Sequence, residues 1–281
     1  MLAEESVHSL ETGDIVLFAG TSATGEFLRC VLGTPWSHVG LVYRPSAAAV
    51  AAALTTCNHA EALPAQCLYC ALQHSDGPLL FESVRNHDGL ALAGGDDEGV
   101  RLVCLAERIA SGTHCEKVCA RKLVFESREL EMAHRARIEH ALLHGEASLQ
   151  RLLGRPYETS ISDLVRSYLG GTWWWRVCGL AFVCASCCGD EDEDEDGDDA
   201  DAERRQRSIF CTELVAAVYR CSGLLHAASS GDDDMYTPVD FASNRRSRLR
   251  FRSGVSLRRP RLLAAAATAA AAAASSGSRA P

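Results

Sequence analysis

The sequence lacks the features that mark secreted and membrane-spanning chains. No uninterrupted apolar run of roughly eighteen residues occurs in the chain, so we predict no spanning helix. Residues Met1–Leu10 are acidic and contain no apolar segment of the signal-peptide kind. The 13 cysteines are odd in number and are scattered without the spacing of a disulfide framework. We therefore expect reduced thiols and a cytoplasmic location.

The net charge of −9 belongs to one segment of the chain. Eleven of the 37 acidic residues lie between Asp190 and Glu203, and removing them leaves 26 acidic residues against 28 Lys and Arg. So dense a run of carboxylates is expected to stay outside any packed core. The remainder is nearly neutral and shows no basic face, so no nucleic-acid partner is expected.

The most informative stretch is Ser208–Gly223, which has helical periodicity and a glycine stop. Its apolar side chains on one face are Phe210, Leu214, Val215, Val218 and Tyr219. Ser208 is the predicted N-cap, which puts Cys211 in the first turn. The positive end of the helix dipole favours a thiolate there, and a thiolate is the nucleophilic form of cysteine. The alternative is a buried cysteine that packs as a small apolar residue.

Two predicted strands upstream carry the groups that a nucleophilic thiol requires. His38 begins a strand over residues 36–43, and Glu82 lies among apolar neighbours in a strand over residues 77–84. A thiol needs an imidazole to accept its proton, and the imidazole needs a third group to orient it. Cys211, His38 and Glu82 are therefore the predicted catalytic residues, although a histidine at a strand end is commonly structural.

The segment before Glu82 holds competing candidates. His59, His74 and Asp76 could replace Glu82 as the third member. Cys67 and Cys70 stand beside histidines and resemble half of a zinc site. No second pair occurs at finger spacing, so we interpret the segment as a loop insertion and predict no metal and no cofactor.

Six short motifs occur in one order along the chain: Gly13–Phe18, Ser37–Val42, Phe81–Glu82, Gly154–Tyr157, Phe210–Val215 and Thr237–Asp240. Together they resemble the circularly permuted papain-like thiol hydrolases of the NlpC superfamily, of the YiiX/YaeF type and their poxvirus relatives. The resemblance implies an α+β fold in which an antiparallel, partly closed sheet packs on the cysteine helix. It also implies that Cys211 is the nucleophile, His38 the general base and Glu82 the polar third member. The backbone N–H of Cys211 would be one oxyanion donor.

We predict a hydrolase domain over residues 10–245, with insertions at 46–77 and 166–207. Residues 246–281 are an Arg-rich and then Ala-rich low-complexity tail. The second insertion contains Trp173–Cys188, whose tryptophans and cysteines predict peripheral contact with a membrane surface rather than a crossing. About fifty residues separate Tyr157 from Cys211, which is longer than the resemblance leads us to expect.

The predicted function is cysteine-dependent hydrolysis of an amide or ester bond through a thioester intermediate. The expected partner is an amide- or ester-containing substrate, with a lipid or a peptide as the candidates, and the sequence does not choose between them. One alternative is a lipid acyltransferase of the same fold. The other is a catalytically idle, membrane-associated adaptor that uses the Trp/Cys run and the charged tails for contacts.

Overall fold

The computed structural model describes residues 7–56, 77–84, 90–94, 99–112, 115–144, 148–157, 209–226, 236–245 and 247–265. Several predictions lie outside these residues. They concern the cysteine pair at 67 and 70, the competing candidates His59, His74 and Asp76, the membrane-contact segment Trp173–Cys188 and the acidic segment Asp190–Glu203.

Nine strands and seven helices lie in the described ranges. The strands are β1 (Ile15–Gly20), β2 (His38–Tyr43), β3 (Leu79–Val84), β4 (Ala91–Gly94), β5 (Gly99–Cys104), β6 (Cys115–Arg121), β7 (Leu123–Phe125), β8 (Val255–Leu257) and β9 (Arg261–Ala265). The helices are α1 (Ala23–Leu32), α2 (Ala47–Thr56), α3 (Leu105–Ala110), α4 (Arg128–His144), α5 (Leu149–Leu152), α6 (Cys211–Cys221) and α7 (Pro238–Ala242).

Seven of the strands form one sheet in the order β4-β5-β3-β2-β1-β6-β9. Every pairing in this sheet is antiparallel. The predicted α+β class and antiparallel sheet are therefore confirmed. The predicted partial closure is wrong for the described residues, because β4 and β9 lie at opposite edges and do not pair with each other. The remaining strands, β7 and β8, pair as a separate two-stranded sheet.

Alternation along the strands gives the large sheet two apolar faces. In β1, Ile15 and Leu17 belong to the cluster that packs on α6, while Val16 and Phe18 belong to a second cluster on the other face. Because successive side chains in a strand point to opposite faces, both faces of β1 are buried. Helix α6 packs on the middle of the sheet, against β2 and β3. The cysteine helix therefore lies next to both strands that carry the other predicted site residues.

Tyr219 connects α6 to the turn before β1. Its ring is fully buried, and its hydroxyl donates a hydrogen bond to the carbonyl oxygen of Gly13 at 2.7 Å. Gly13 itself has a positive φ of 92°, which favours glycine. This hydrogen bond within an otherwise apolar interface fixes the position of α6 along the sheet.

The folded region extends beyond residue 245, the predicted end of the domain. Strand β8 pairs with β7, and β9 pairs with β6 at the edge of the large sheet. Leu257 and Leu263 supply the apolar side chains that these pairings bury. The Arg-rich segment therefore contributes structure up to Ala265, and it also contains a single β-bridge between Phe251 and Leu225.

The first part of the predicted insertion at 46–77 is helical rather than a loop. Residues Ala47–Thr56 form α2, and alanine, its commonest residue, has the highest intrinsic helix propensity. None of the helices in the described ranges combines the length and apolarity that crossing a bilayer requires.

Candidate active site

Cys211 is the first residue of α6 and is 5% exposed. The N-cap is Phe210 rather than the predicted Ser208, which lies outside the described residues. A phenylalanine side chain cannot accept a hydrogen bond, so the helix start is supported by Glu213, whose carboxylate accepts the N–H of Phe210 at 3.4 Å. The prediction that Cys211 lies in the first helical turn is confirmed.

The residue before Phe210 is held from two sides. Ser83 of β3 donates its hydroxyl to the carbonyl oxygen of Ile209 at 2.8 Å. The N–H of Ile209 donates to the carbonyl oxygen of Pro156 at 3.2 Å, and Ile209 forms a parallel bridge with Tyr157. The Gly154–Tyr157 motif and the middle of the sheet together therefore fix where α6 begins.

His38 lies at the start of β2, opposite Phe18 of β1. The centroids of the two rings are 5.4 Å apart. The Nε2 atom of His38 is 2.9 Å from Oε2 of Glu82, and the His38 ring also hydrogen-bonds the side chain of Cys211. The imidazole thus lies between the thiol and the carboxylate, which is the order that the predicted chemistry needs.

The electrostatics of the site favour a thiolate–imidazolium pair. Burial alone raises the pKa of Cys211, but the charge and hydrogen bond of His38 and the backbone N–H groups of Val39 and Thr212 lower it further than burial raises it. Burial alone lowers the pKa of His38, but Cys211 and Glu82 raise it to about 9. Each charge therefore stabilises the other, which favours the thiolate–imidazolium form of the pair.

Glu82 is fully buried and has two arginine partners that we did not predict. Its Oε1 atom accepts from Arg101 Nε at 3.2 Å and Nη2 at 2.9 Å, and from Arg108 Nε at 3.2 Å. Burial raises the pKa of Glu82, but Arg108, His38 and Arg101 lower it well below its usual range. Glu82 is therefore a carboxylate at any pH at which the protein would work.

A partial sequence signal existed for these arginines. Arg101 is the one charged residue in the otherwise apolar strand Gly99–Cys104, and a buried cation in one strand needs an anion in a neighbour. The register places Arg101 directly opposite Glu82. Arg108 has no comparable signal, because its position depends on how α3 turns back after β5.

The structure brings Cys211, His38 and Glu82 into one continuous set of contacts. Such a set can generate a nucleophile, accept and return a proton, and hold the imidazole in one orientation. Within the described ranges, no group of three or more His, Cys, Asp or Glu side chains could hold a metal ion. Comparison of the chain with models of protein families and with curated proteins found no match.

Proposed function

We propose that this protein is a cysteine-dependent hydrolase that cleaves an amide or ester bond through a thioester on Cys211. One observation carries the proposal. A cysteine at the first position of a helix contacts a histidine, and the histidine is hydrogen-bonded to a buried, ionised carboxylate. Exposed or purely structural cysteines have no need of such an arrangement.

The proposed reaction begins with the thiolate. The Cys211 sulfur attacks the carbonyl carbon, and the negative charge moves to the carbonyl oxygen. The N–H of Cys211 is available to stabilise this oxyanion, since the first N–H groups of a helix have no intrahelical acceptor. The bond to the leaving group then breaks, and the His38 imidazolium gives its proton to the departing amine or alkoxide.

Water completes the cycle. Neutral His38 takes a proton from water as the water oxygen attacks the thioester carbon. The carbon–sulfur bond breaks, the carboxylic acid leaves, and the thiolate–imidazolium pair is restored. If an alcohol or amine acceptor replaced water, the same intermediate would serve acyl transfer, so the identity of the acceptor separates the hydrolase from the acyltransferase.

We also propose that the fold is the circularly permuted papain-like arrangement of the NlpC superfamily. The order His38 on β2, Glu82 on β3 and Cys211 on α6 supports it. So does the packing of α6 on an antiparallel sheet. A cytoplasmic location and a lipid or peptide substrate belong to this same proposal.

Acylation by a model ester tests the reaction directly. The protein is incubated with p-nitrophenyl acetate at neutral pH, release of nitrophenol is followed, and peptides are mapped by mass spectrometry. We expect an acetyl group on Cys211 and loss of catalysed hydrolysis in Cys211→Ala. Cys119→Ala is the matched control, because Cys119 is also buried and burial raises its pKa to about 11.

Hydrolysis that persists in Cys211→Ala would overturn the proposal, as would acetylation confined to the exposed Cys30 and Cys221. Alkylation by iodoacetamide at pH 6 separates the enzyme from the idle adaptor. Selective modification of Cys211 supports the enzyme, since its sulfur is then already a thiolate. Uniform and slow modification of all thiols supports the adaptor.

A further inference from the structure

Glu82 has more cationic partners than the orientation of a histidine requires. The carboxylate is 0% exposed, and the side chains of Arg101 and Arg108 are 1% and 8% exposed. Three guanidinium N–H groups donate to Oε1, which leaves Oε2 for His38. Both of these buried cations therefore contact the carboxylate of Glu82, as the His38 ring does.

The two arginines reach Glu82 in different ways. Arg101 lies directly opposite Glu82 in the β3–β5 pair, so its position follows from the register of the sheet. Arg101 alone already donates twice to Oε1. Arg108 comes instead from α3, the short helix that follows β5. Its contact with Glu82 is an addition that the sheet itself does not demand.

Arg108 contacts two side chains, Phe18 and Glu82, that themselves lie against the His38 imidazole. Its guanidinium carbon lies 4.9 Å from the centroid of the Phe18 ring, and the Phe18 ring is 5.4 Å from the His38 ring. Its Nε donates to the carboxylate that accepts from His38. A planar guanidinium can make these two contacts at once, by hydrogen bonding in its plane and stacking on its face.

We infer that Arg108 is a positioning residue for the proposed reaction. It holds Glu82 ionised with Oε2 turned toward His38, packs Phe18 against the imidazole, and so keeps the thiolate–imidazolium pair intact at mildly acidic pH. The inference rests on the proposed function, because the pair it supports is the proposed nucleophile and base.

The charged groups around the site give the inference a definite pH dependence. Glu82 contacts three cationic or titratable side chains: His38 of β2, Arg101 of β5 and Arg108 of α3. His38 in turn contacts Cys211 of α6. The positive charge of Arg108 lowers the pKa of Glu82, as do His38 and Arg101. Without it, Glu82 takes up a proton at higher pH, and the imidazolium loses its counter-charge. The damage should therefore be large in acid and small in alkali.

The test measures the rate at which iodoacetamide alkylates Cys211 between pH 4.5 and 9, by quantitative peptide mapping of the full-length protein. In Arg108→Met, we expect about a tenfold loss of the alkylation rate at pH 5, which corresponds to a rise of about one unit in the pKa of the Cys211 thiol. At pH 8 the rate should stay within about twofold of wild type. Arg108→Lys keeps the charge and should recover most of the rate in acid.

Two further variants make the test specific. Arg135→Met is the matched control, since Arg135 is also poorly exposed, pairs with a buried carboxylate on Asp14 and lies over the Phe125 ring. Its pH profile should equal that of wild type. In the Glu82→Gln background, adding Arg108→Met should leave the shape of the pH profile unchanged, because the charge of Arg108 acts through Glu82. Loss of the packing on Phe18 would lower the rate equally at every pH. If Arg108→Met does not fold, Arg108→Gln removes the same charge and replaces it in the comparison.

Equal losses at every pH in the Met and Lys variants would overturn the inference, since they indicate a packing role alone. An unchanged profile in Arg108→Met would overturn it as well. Either result leaves the proposed function standing if wild-type Cys211 is alkylated selectively at pH 6. A wild-type protein without that selectivity would overturn the proposed function, and this inference with it.

Discussion

Replacing Glu82 with Gln is expected to destabilise the fold as well as impair the site. The substitution keeps the shape of the side chain but removes the buried carboxylate charge that Arg101 and Arg108 both contact. Both buried guanidinium groups would then lose this counter-charge. Removing one partner of a buried ion pair typically costs about 3–5 kcal/mol, because a buried charge loses a counter-charge that compensates its transfer out of water.

The contacts of Glu82 support a value in that range. Four donor groups lie within 2.9–3.2 Å of its two oxygens, and a hydrogen bond to a charged group contributes about 1.5–3 kcal/mol. The four bonds together would contribute more than the expected loss. The substitution does not remove all of them, because the side-chain oxygen of Gln still accepts hydrogen bonds from the arginines. We therefore expect a loss of about 4 kcal/mol in the free energy of unfolding at pH 7.

The loss should depend on pH in a known direction. The pKa of Glu82 in the folded protein lies well below its usual value of 4.5, because its partners outweigh burial. A carboxyl group with a lowered native pKa stabilises the fold fully above its unfolded pKa. The contribution disappears as the pH falls through the native pKa. The difference between wild type and Glu82→Gln should accordingly be complete at pH 7 and shrink in acid.

Urea denaturation followed by far-UV circular dichroism measures this difference. Glu116→Gln is the matched control, since Glu116 lies on β6 of the same sheet and pairs with Arg29 at 2.9 Å, but is 45% exposed. Solvent screens that pair, so the control should be close to wild type. A loss in Glu82→Gln below about 1 kcal/mol, or one no larger than in the control, would refute the argument that the carboxylate neutralises the buried arginines.

Three other substitutions give expectations that the same structure fixes. His38→Ala removes the cation that lowers the pKa of the site thiol, so alkylation of that thiol at pH 6 should slow about tenfold or more; an unchanged rate would contradict this role. Tyr219→Phe removes the hydroxyl that donates to the buried Gly13 carbonyl, and the free energy of unfolding measured in urea should fall by about 1–3 kcal/mol. A variant as stable as wild type would show that this hydrogen bond is dispensable. Gly99→Ala places a Cβ 2.2 Å from the carbonyl oxygen of Arg155 at a φ of +134° and should lower the melting temperature markedly; a variant that melts with wild type would show that the backbone there moves freely.

Local pattern was sufficient for most of the elements that carry the site. Short apolar runs bounded by turns predicted β2 and β3, and helical spacing predicted α6. Strand β6 was not predicted, although it pairs with β1 along its whole length. Its first half, Cys115–Lys117, is only partly buried and contains two charged residues, so its apolar signal is weak.

The position of each candidate group within its own element was also decided by sequence. A histidine at a strand start, a glutamate inside an apolar strand and a cysteine at a helix start are local facts, because side-chain periodicity and helix termini depend on near neighbours. From these facts the chemical roles of His38, Glu82 and Cys211 could be proposed before their distances were known. The sequence could not show that these three side chains contact one another.

Only the tertiary structure decided which groups meet. Strand β3 pairs with β2 on one side and β5 on the other, so Glu82 lies between His38 and Arg101, while Arg108 reaches it from α3. The order of the strands in the sheet depends on which strands pair with one another. The periodicity within a single segment does not carry that information, because the pairing involves segments far apart in the chain. The charge balance of the site depends on the same choice, because the arginines that hold Glu82 ionised lie 19 and 26 residues away from it.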